Sequence, residues 1–340
     1  MSNAPVSIGL IGLGQMGRNH LRILSMLKGV NLKFVSDLDA AGGRALAQGA
    51  EVPFREDVEA ALAEVDAVVI CTPTVTHEDY IRKAAKHVRN VFVEKPISDT
   101  LESSRRVRDF ANETGLNVQV GFIERFNPAV QQLKLLLEES ARVVSVDFAR
   151  TNKLSTRITD VDVIIDLMTH DIDLALHLNG PISTLSAQGV IEGGMIAFAC
   201  ANLVHENGRL SRVQASRITD KKIRMIQATC SDMFVNCELM RKEIVISRQA
   251  VYGTREGSPL VISAVEETLT VRPEEALLAE LQAFVSNCRE WGSVPVPGVQ
   301  DAVAAMAVCE QIQRAILDQP SKEAALAAGA PQGLAAVPTA

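Results

Sequence analysis

Four ionisable residues recur at helical spacing in an otherwise apolar stretch: Asp166, His170, Asp173 and His177. At ~100° per residue they fall in a stripe roughly 60° wide. The other faces carry Ile164, Ile165, Leu167, Met168, Ile172, Leu174, Ala175 and Leu178. A mostly buried helix seldom keeps four such groups on one stripe without a use for them. Asp166 and His170 are one turn apart, which predicts a carboxylate that orients the imidazole. An imidazole near neutrality suits removal of an alcohol proton. Asp173 and His177 lie one or two turns further along and read as an interdomain salt-bridge stripe. His and Asp at i, i+4 also fit zinc, but there is no HExxH and no third ligand cluster, so no metal is expected.

Lys95 is the second candidate. Glu94-Lys95-Pro96 follows a short apolar run. A lysine there can hydrogen-bond a substrate hydroxyl and stabilise charge growing on its oxygen. The competing reading is a solvent lysine in a turn.

A third cluster binds rather than reacts. Gly12-Leu13-Gly14-Gln15-Met16-Gly17 fits GxGxxG, after the strand Val6–Ile11 and at the start of a helix. Gly12 permits the tight turn, Gly14 lets the backbone approach a pyrophosphate, and Gly17 allows close helix–strand packing. The helix N-terminus offers free N–H groups to phosphate. Asp37 lies about 20 residues after Gly17, where a carboxylate meets a ribose 2′-hydroxyl and repels a 2′-phosphate. NAD is therefore expected over NADP. Thr72-Pro73 follows the third strand and should line the same site. His77, at the start of the next helix, is either a contact or a packing residue. The expected cofactor contacts are Gly12, Gly14, Gln15, Met16, Gly17, Asp37, Thr72, Pro73, His77, Glu94 and Lys95.

The elements that must position these groups are legible as patterns. Strand signals at Val6–Ile11, Leu32–Ser36, Ala67–Cys71, Val91–Val93 and Asn117–Val120 alternate with helical stretches. That predicts an α/β fold whose N-terminal part is a Rossmann-type, doubly wound parallel sheet. Beyond Phe122 the pattern changes. Pro128–Ser140, Val163–Leu178, Glu274–Arg289 and Val299–Leu317 read as helices, and Leu185 to about Ile246 as an open, largely antiparallel sheet. The division expected is 1–123 for the cofactor domain, 124–320 for a C-terminal α/β substrate-binding and oligomerisation domain, and 321–340 for a disordered tail.

Composition narrows the class. The 340 residues carry a net charge of −7 and no basic block, which argues against nucleic-acid or anionic-membrane partners. The longest apolar runs are too short to span a bilayer, and the start lacks a signal-peptide pattern. The six cysteines show no CxxC spacing, so a cytoplasmic protein with reduced thiols is expected.

Together these motifs resemble the Gfo/Idh/MocA oxidoreductases. The resemblance runs from about Val6 to Leu317. Its carriers are the glycine loop with His20, Thr72-Pro73 with His77, Glu94-Lys95-Pro96, Asp166-xxx-His170-xx-Asp173, and Pro295-Val-Pro-Gly298 with Asp301. It implies NAD(P) in the first domain and oxidation of a sugar, inositol or related polyol. It makes Lys95, Asp166 and His170 the catalytic trio: His170 the base, Lys95 orienting the hydroxyl, Asp166 positioning the hydroxyl or His170. It also implies a homodimer or homotetramer that buries the open sheet.

A narrower resemblance, to the UDP-N-acetylglucosamine 3-dehydrogenases, rests on Gly121–Val130, Arg150–Lys153 and Arg157–Asp173. Those enzymes make a 3-keto sugar that, after amination, enters lipid A in some bacteria. Some UDP-sugar members carry Asn where Asp166 stands here. Arg125, Arg150, Lys153 and Arg157 are then candidates, with Lys95, Asp166 and His170, to meet the substrate, the cations facing a diphosphate. For each cation taken alone, ion pairing within the protein is the competing reading. An inositol or aldose dehydrogenase with the same site, and a non-catalytic NAD-binding sensor, are the other two functions the sequence accommodates.

Overall fold

The computed structural model describes residues 4–153, 161–252, 261–290 and 294–318. The first part contains β1 (Val6–Ile11), α1 (Gln15–Leu24), β2 (Val30–Ser36), α2 (Ala40–Gly49), α3 (Val58–Leu62), β3 (Ala67–Ile70), α4 (His77–Ala84), β4 (Asn90–Glu94), α5 (Leu101–Thr114) and β5 (Asn117–Gly121). The strands form one parallel sheet in the order β2-β1-β3-β4-β5. Helices cover both faces, so the central strands are apolar throughout rather than alternating, and all of β3 is buried. Local signals set the helix limits. The side chain of Thr100 caps α5 by accepting from Ser103 N, and Gly115, at φ 65°, ends it in the left-handed region. The order reverses between β1 and β3, so a crevice opens beyond their carboxyl ends.

The second part adds α6 (Pro128–Glu139), β6 (Val143–Lys153), a π-turn at Ile164–Met168, α7 (Thr169–Asn179), β7 (Ile182–Glu192), β8 (Met195–His205), β9 (Leu210–Ser216), β10 (Ile218–Cys230), β11 (Phe234–Glu238), β12 (Glu243–Tyr252), β13 (Val261–Thr270), α8 (Ala276–Arg289) and α9 (Val299–Leu317). The eight strands run in the order β13-β12-β11-β10-β6-β9-β8-β7. Neighbours are antiparallel except for β6 and β9. The expected mixed architecture is present, but the sheet runs past Ile246. β13 is an edge strand whose Val265, Glu266, Glu267 and Thr268 are exposed. Charged edges deter unwanted pairing, and they also hide a strand from a search for apolar alternation.

One face of this sheet packs under α6, α7 and α9 in a continuous core. The other carries an open row across five strands: Phe234, Thr229, Ser145, Leu210 and Val204 stand side by side in register. Phe234, Leu210 and Val204 are exposed.

α8 then returns to the first sheet. Its Leu277, Leu281 and Phe284 share a core with Val6, Ile8 and Leu10 of β1 and Leu21 and Leu24 of α1. The chain also reaches back at Pro297, whose carbonyl accepts from Val120 N at the edge of β5. Segments far apart in sequence are thereby fixed around one cleft. The 321–340 stretch, expected as a tail, lies outside the described residues.

Candidate active site

The cofactor end of the cleft is main-chain geometry. Gly12 has φ +91°, and a Cβ there would lie 2.6 Å from the Cys71 carbonyl group. A Cβ on Gly17 would come within 1.9 Å of the Gly12 carbonyl oxygen. The loop and helix therefore sit closer than any side chain allows. Gly14 meets no atom within 4 Å of its Cβ position. It is the N-cap of α1 and supplies no side-chain cap, so the first N–H groups of the helix, beginning at Gln15 and Met16, face the crevice.

Asp37, at the end of β2, accepts from Leu13 N at 2.5 Å through Oδ2 and from Asp39 N at 2.8 Å through Oδ1. It braces the glycine loop, and each oxygen keeps a lone pair for a ribose hydroxyl. Open backbone N–H groups, a glycine cradle and a carboxylate at the second strand fit a dinucleotide.

Thr72, Pro73, His77 and Glu94 form the wall of this end. His77 is buried, and its ring spans the Pro96 carbonyl (Nδ1, 2.9 Å) and the Thr72 carbonyl (Nε2, 2.9 Å). It ties the loop after β3 to the loop after β4, the packing role. Glu94 Oε1 meets His20 Nε2 at 2.7 Å, and Oε2 accepts from Lys95 N at 3.3 Å. His20, Cys71 and Glu94 place their ligand atoms within 4.8 Å of one another. The His20–Glu94 hydrogen bond accounts for that pair without a metal.

The reacting end is built from charges. Lys95, next to the cis Pro96, donates from Nζ to the main-chain carbonyl of Asp166 at 2.8 Å. Burial lowers the Lys95 pKa, while Asp166 and Glu94 oppose the shift. The Asp166 side chain goes elsewhere: its Oδ2 pairs with Arg217 Nη2 at 3.0 Å. Arg217 is buried and also donates to the carbonyls of Val161 and Asp162. Asp162 Oδ1 accepts from Ile164 N and Ile165 N, while Gln313 holds Oδ2 at 2.7 Å. The Thr169 hydroxyl bonds back to the carbonyls of Ile164 and Ile165, both at 3.0 Å. Together these hold a π-turn, a form common at functional sites.

The predicted pairing of Asp166 with His170 is therefore not made. The stripe assumes α-geometry throughout, whereas its first turn is a wider π-turn, and Arg217 draws the carboxylate away. His170 Nδ1 is buried without a partner. Burial, then the charges of Lys95, Arg150 and Arg224, drives the His170 pKa well below its ordinary value. Lys95 and His170 share one electrostatic environment beside the cofactor crevice. A neutral imidazole and a half-buried lysine at that place can take a proton from a hydroxyl and hold its oxygen.

The remaining predicted residues divide differently. Arg125 grips Asp173 in a two-point ion pair (Nε–Oδ2 2.8 Å, Nη2–Oδ1 2.6 Å) and reaches Asp301 at 3.0 Å. Burial lifts Asp173 to about 6 despite that partner. Arg150 binds Asp171 through Nε and Nη2 at 2.8 and 2.7 Å and Glu124 through Nη1 at 2.9 Å. Burial opposes its charge, but Asp171 and Glu124 more than restore it. Neither guanidinium is free for a diphosphate: buried carboxylates have claimed both, because an unpaired charge at either position would be prohibitive. His177 lines a separate groove with Arg125 and Lys134, and burial depresses it to about 4. Lys153 ends β6, and its side chain lies outside the described residues, as does all of Arg157. The sequence reading missed Arg217, Asp162 and Arg224. Arg217 and Asp162 signalled only as polar residues in turns, and Arg224 only as a charge within a strand.

A profile described as "Oxidoreductase family, NAD-binding Rossmann fold" matches residues 6–122. The UDP-N-acetylglucosamine 3-dehydrogenase of Acidithiobacillus ferrooxidans is 30% identical over 285 residues, 82% of this chain and 87% of that protein. The chain belongs to the Gfo/Idh/MocA oxidoreductase family. Another relative, the inositol 2-dehydrogenase of Rhizobium meliloti, is 27% identical over 92% of this chain and 98% of its own length. The crystal structure of the A. ferrooxidans enzyme superposes with TM-score 0.81 at 26% identity, covering 92% of this chain and 97% of that one. An Agrobacterium radiobacter oxidoreductase solved with NAD⁺ shares the fold (TM-score 0.79, 19% identity, covering 93% and 97%). As a Gfo/Idh/MocA protein the chain is an NAD-dependent oxidoreductase, and the glycine loop and Asp37 are where its cofactor fits.

Proposed function

We propose that the chain oxidises the 3-hydroxyl of UDP-N-acetylglucosamine to a ketone, with Lys95 and His170 meeting the reacting hydroxyl. The observation that carries this reading is their placement. His170 has an unpartnered nitrogen, and Lys95 Nζ is held at 2.8 Å by the main-chain carbonyl of Asp166, four residues before the imidazole. NAD⁺, when bound, accepts the hydride. His170 takes the hydroxyl proton, and Lys95 Nζ, held by the Asp166 carbonyl, orients the same oxygen. Asp166 acts through that carbonyl and through its ion pair with Arg217. Similarity to the A. ferrooxidans enzyme supports a nucleotide-sugar substrate.

The rival reading keeps the site and takes a free inositol, which the R. meliloti relative supports. Purified protein with NAD⁺ is assayed for NADH absorbance against nucleotide sugars and free polyols. The expected product is UDP-N-acetylglucosamine less two hydrogens by mass. Turnover confined to unphosphorylated polyols would eliminate the nucleotide-sugar reading. A cytoplasmic homodimer or homotetramer is proposed with it, the open row through Phe234, Leu210 and Val204 being the surface to cover.

A further inference from the structure

We infer that Arg224 receives the anionic part of the substrate, a phosphate oxygen of the nucleotide sugar; this rests on the nucleotide-sugar reading above. Arg224 lies on β10 directly across from Arg150 on β6. Residues opposed across two strands project to the same side, and for Arg150 that side is the inner face under α7. The two arginines differ in what they meet. Arg150 binds two carboxylates, Arg125 another two, and Arg217 a carboxylate and two carbonyls. Among the described residues Arg224 makes no side-chain hydrogen bond and no ion pair, and its Nη1 is buried without a partner.

A half-buried guanidinium with one nitrogen buried and unpartnered is costly. Here a second cation stands across the strands. Burial, then Arg150, pulls the Arg224 pKa down to about 10, with Asp171, Glu124 and Asp166 only partly offsetting. An incoming dianion would relieve that cost, and the planar fork suits phosphate oxygens. The location also fits. Arg224 opposes Arg150, whose guanidinium holds Asp171, the residue after His170, so an anion there would lie on the same face of the sheet as the helix that carries the proton-accepting ring. A sugar whose reacting hydroxyl meets His170 would direct its glycosidic phosphate to such a place.

The probe is UDP, titrated calorimetrically into the NAD-loaded enzyme, in wild type, Arg224→Met and Arg224→Lys. Arg224→Met should weaken UDP about 10- to 100-fold and flatten the decline of affinity with NaCl. Arg224→Lys should recover only part, since it keeps the charge and loses the fork. NAD⁺ affinity should stay at the wild-type value and reports that the variant is folded. If the Met variant fails to fold, the Lys variant alone must still bind UDP several-fold more weakly. Wild-type UDP affinity in a folded variant, or no UDP binding by the wild type at millimolar concentration, overturns the inference. The two proposals separate cleanly. An enzyme that binds UDP through Arg224 but oxidises only free polyols defeats the proposed function, and with it the phosphate's place in the substrate, and leaves Arg224 standing only as a phosphate-binding residue. One that oxidises UDP-N-acetylglucosamine with Arg224→Met binding it unchanged defeats only this site.

Discussion

At the cofactor end of the cleft, glycines let a loop, a helix and a strand end approach so closely that a single Cβ at position 17 would overlap the Gly12 oxygen at 1.9 Å. At the reacting end, some 150 residues later in sequence, the backbone departs from regular geometry, and opposite charges hold it there. Asp166 and Arg217, Asp171 and Arg150, and Asp173 and Arg125 form three ion pairs along one π-turn and the helix after it. The first end is specified by what is missing from the side chains. The second is specified by which charge finds which. If that contrast is right, substitutions at the two ends should fail in different ways: binding without chemistry at one, chemistry without binding at the other.

The largest effect is expected at the reacting end. His170→Ala and Lys95→Ala should each lower kcat by about 10²- to 10⁴-fold while NAD⁺ affinity, followed by fluorescence titration, changes little. Equal loss of NAD⁺ binding and turnover would erase the contrast between the ends. The depressed His170 pKa adds a sign. The ring should stay in its base form at neutrality, so the acid limb of kcat/KM should fall below pH 6.5, the ordinary histidine value. Stability follows the same direction. His170 contributes no pH-dependent loss above 6.5, and stability declines as pH falls below 6.5 because the unfolded chain binds the proton first.

The cofactor end should show the converse. Gly17→Ala forces backbone apart and should cost about 1–3 kcal/mol of stability, together with at least a tenfold loss of NAD⁺ affinity. Turnover at saturating NAD⁺ should be affected less than binding. A variant with unchanged NAD⁺ affinity would show that the close approach is not what shapes the phosphate cradle.

Arg217→Met sharpens the comparison from within the reacting end. It leaves Asp166 without its cation and removes donors to the Val161 and Asp162 carbonyls. A freed carboxylate beside Lys95 should raise the Lys95 and His170 pKa values, moving the acid limb upward and lowering kcat about 10-fold or more. Arg217→Lys should restore part of both. A kcat loss without movement of the pH profile would reduce Arg217 to scaffolding.

Sequence legibility follows the same division. The glycine loop, Asp37 and the buried strands of the first sheet could be read directly, because glycine spacing and continuous apolar runs are local signals. β1, α5 and α9 begin and end where the residue pattern places them. The proposed pair Lys95 and His170 was visible as chemistry but not as geometry. A stripe computed at a uniform helical period assigns Asp166 to His170. The π-turn and Arg217, an arginine between two strands with no local pattern, reassign it. Arg125 and Arg150 show the same blindness: a cation in the sequence does not display the carboxylate that will neutralise it. The return of α8 into the first core was invisible for a related reason, since its apolar face fits either domain.

A smaller effect tests the seam where α8 returns. Glu280, on α8, is fully buried with neither carboxylate oxygen hydrogen-bonded, while its carbonyl accepts from Gln119 Nε2 at 3.3 Å. Burial, then the charges of Glu94 and Asp173, holds its pKa well above 4.5, so the folded protein keeps the proton to higher pH than the unfolded chain does. The unfolded chain releases that proton near 4.5. Stability is therefore full below 4.5 and is lost as pH rises from there towards the folded pKa. Glu280→Gln cannot ionise in either state. Its amide brings two donors of its own, which shift stability by an amount independent of pH. The informative quantity is thus the slope: Tm of the variant minus Tm of wild type should climb between pH 4 and pH 8, at roughly 2–4 °C for each kcal/mol involved. Parallel curves would mean that Glu280 finds a charge-stabilising partner in solution, and that the seam, like the reacting end, is held by a paired charge.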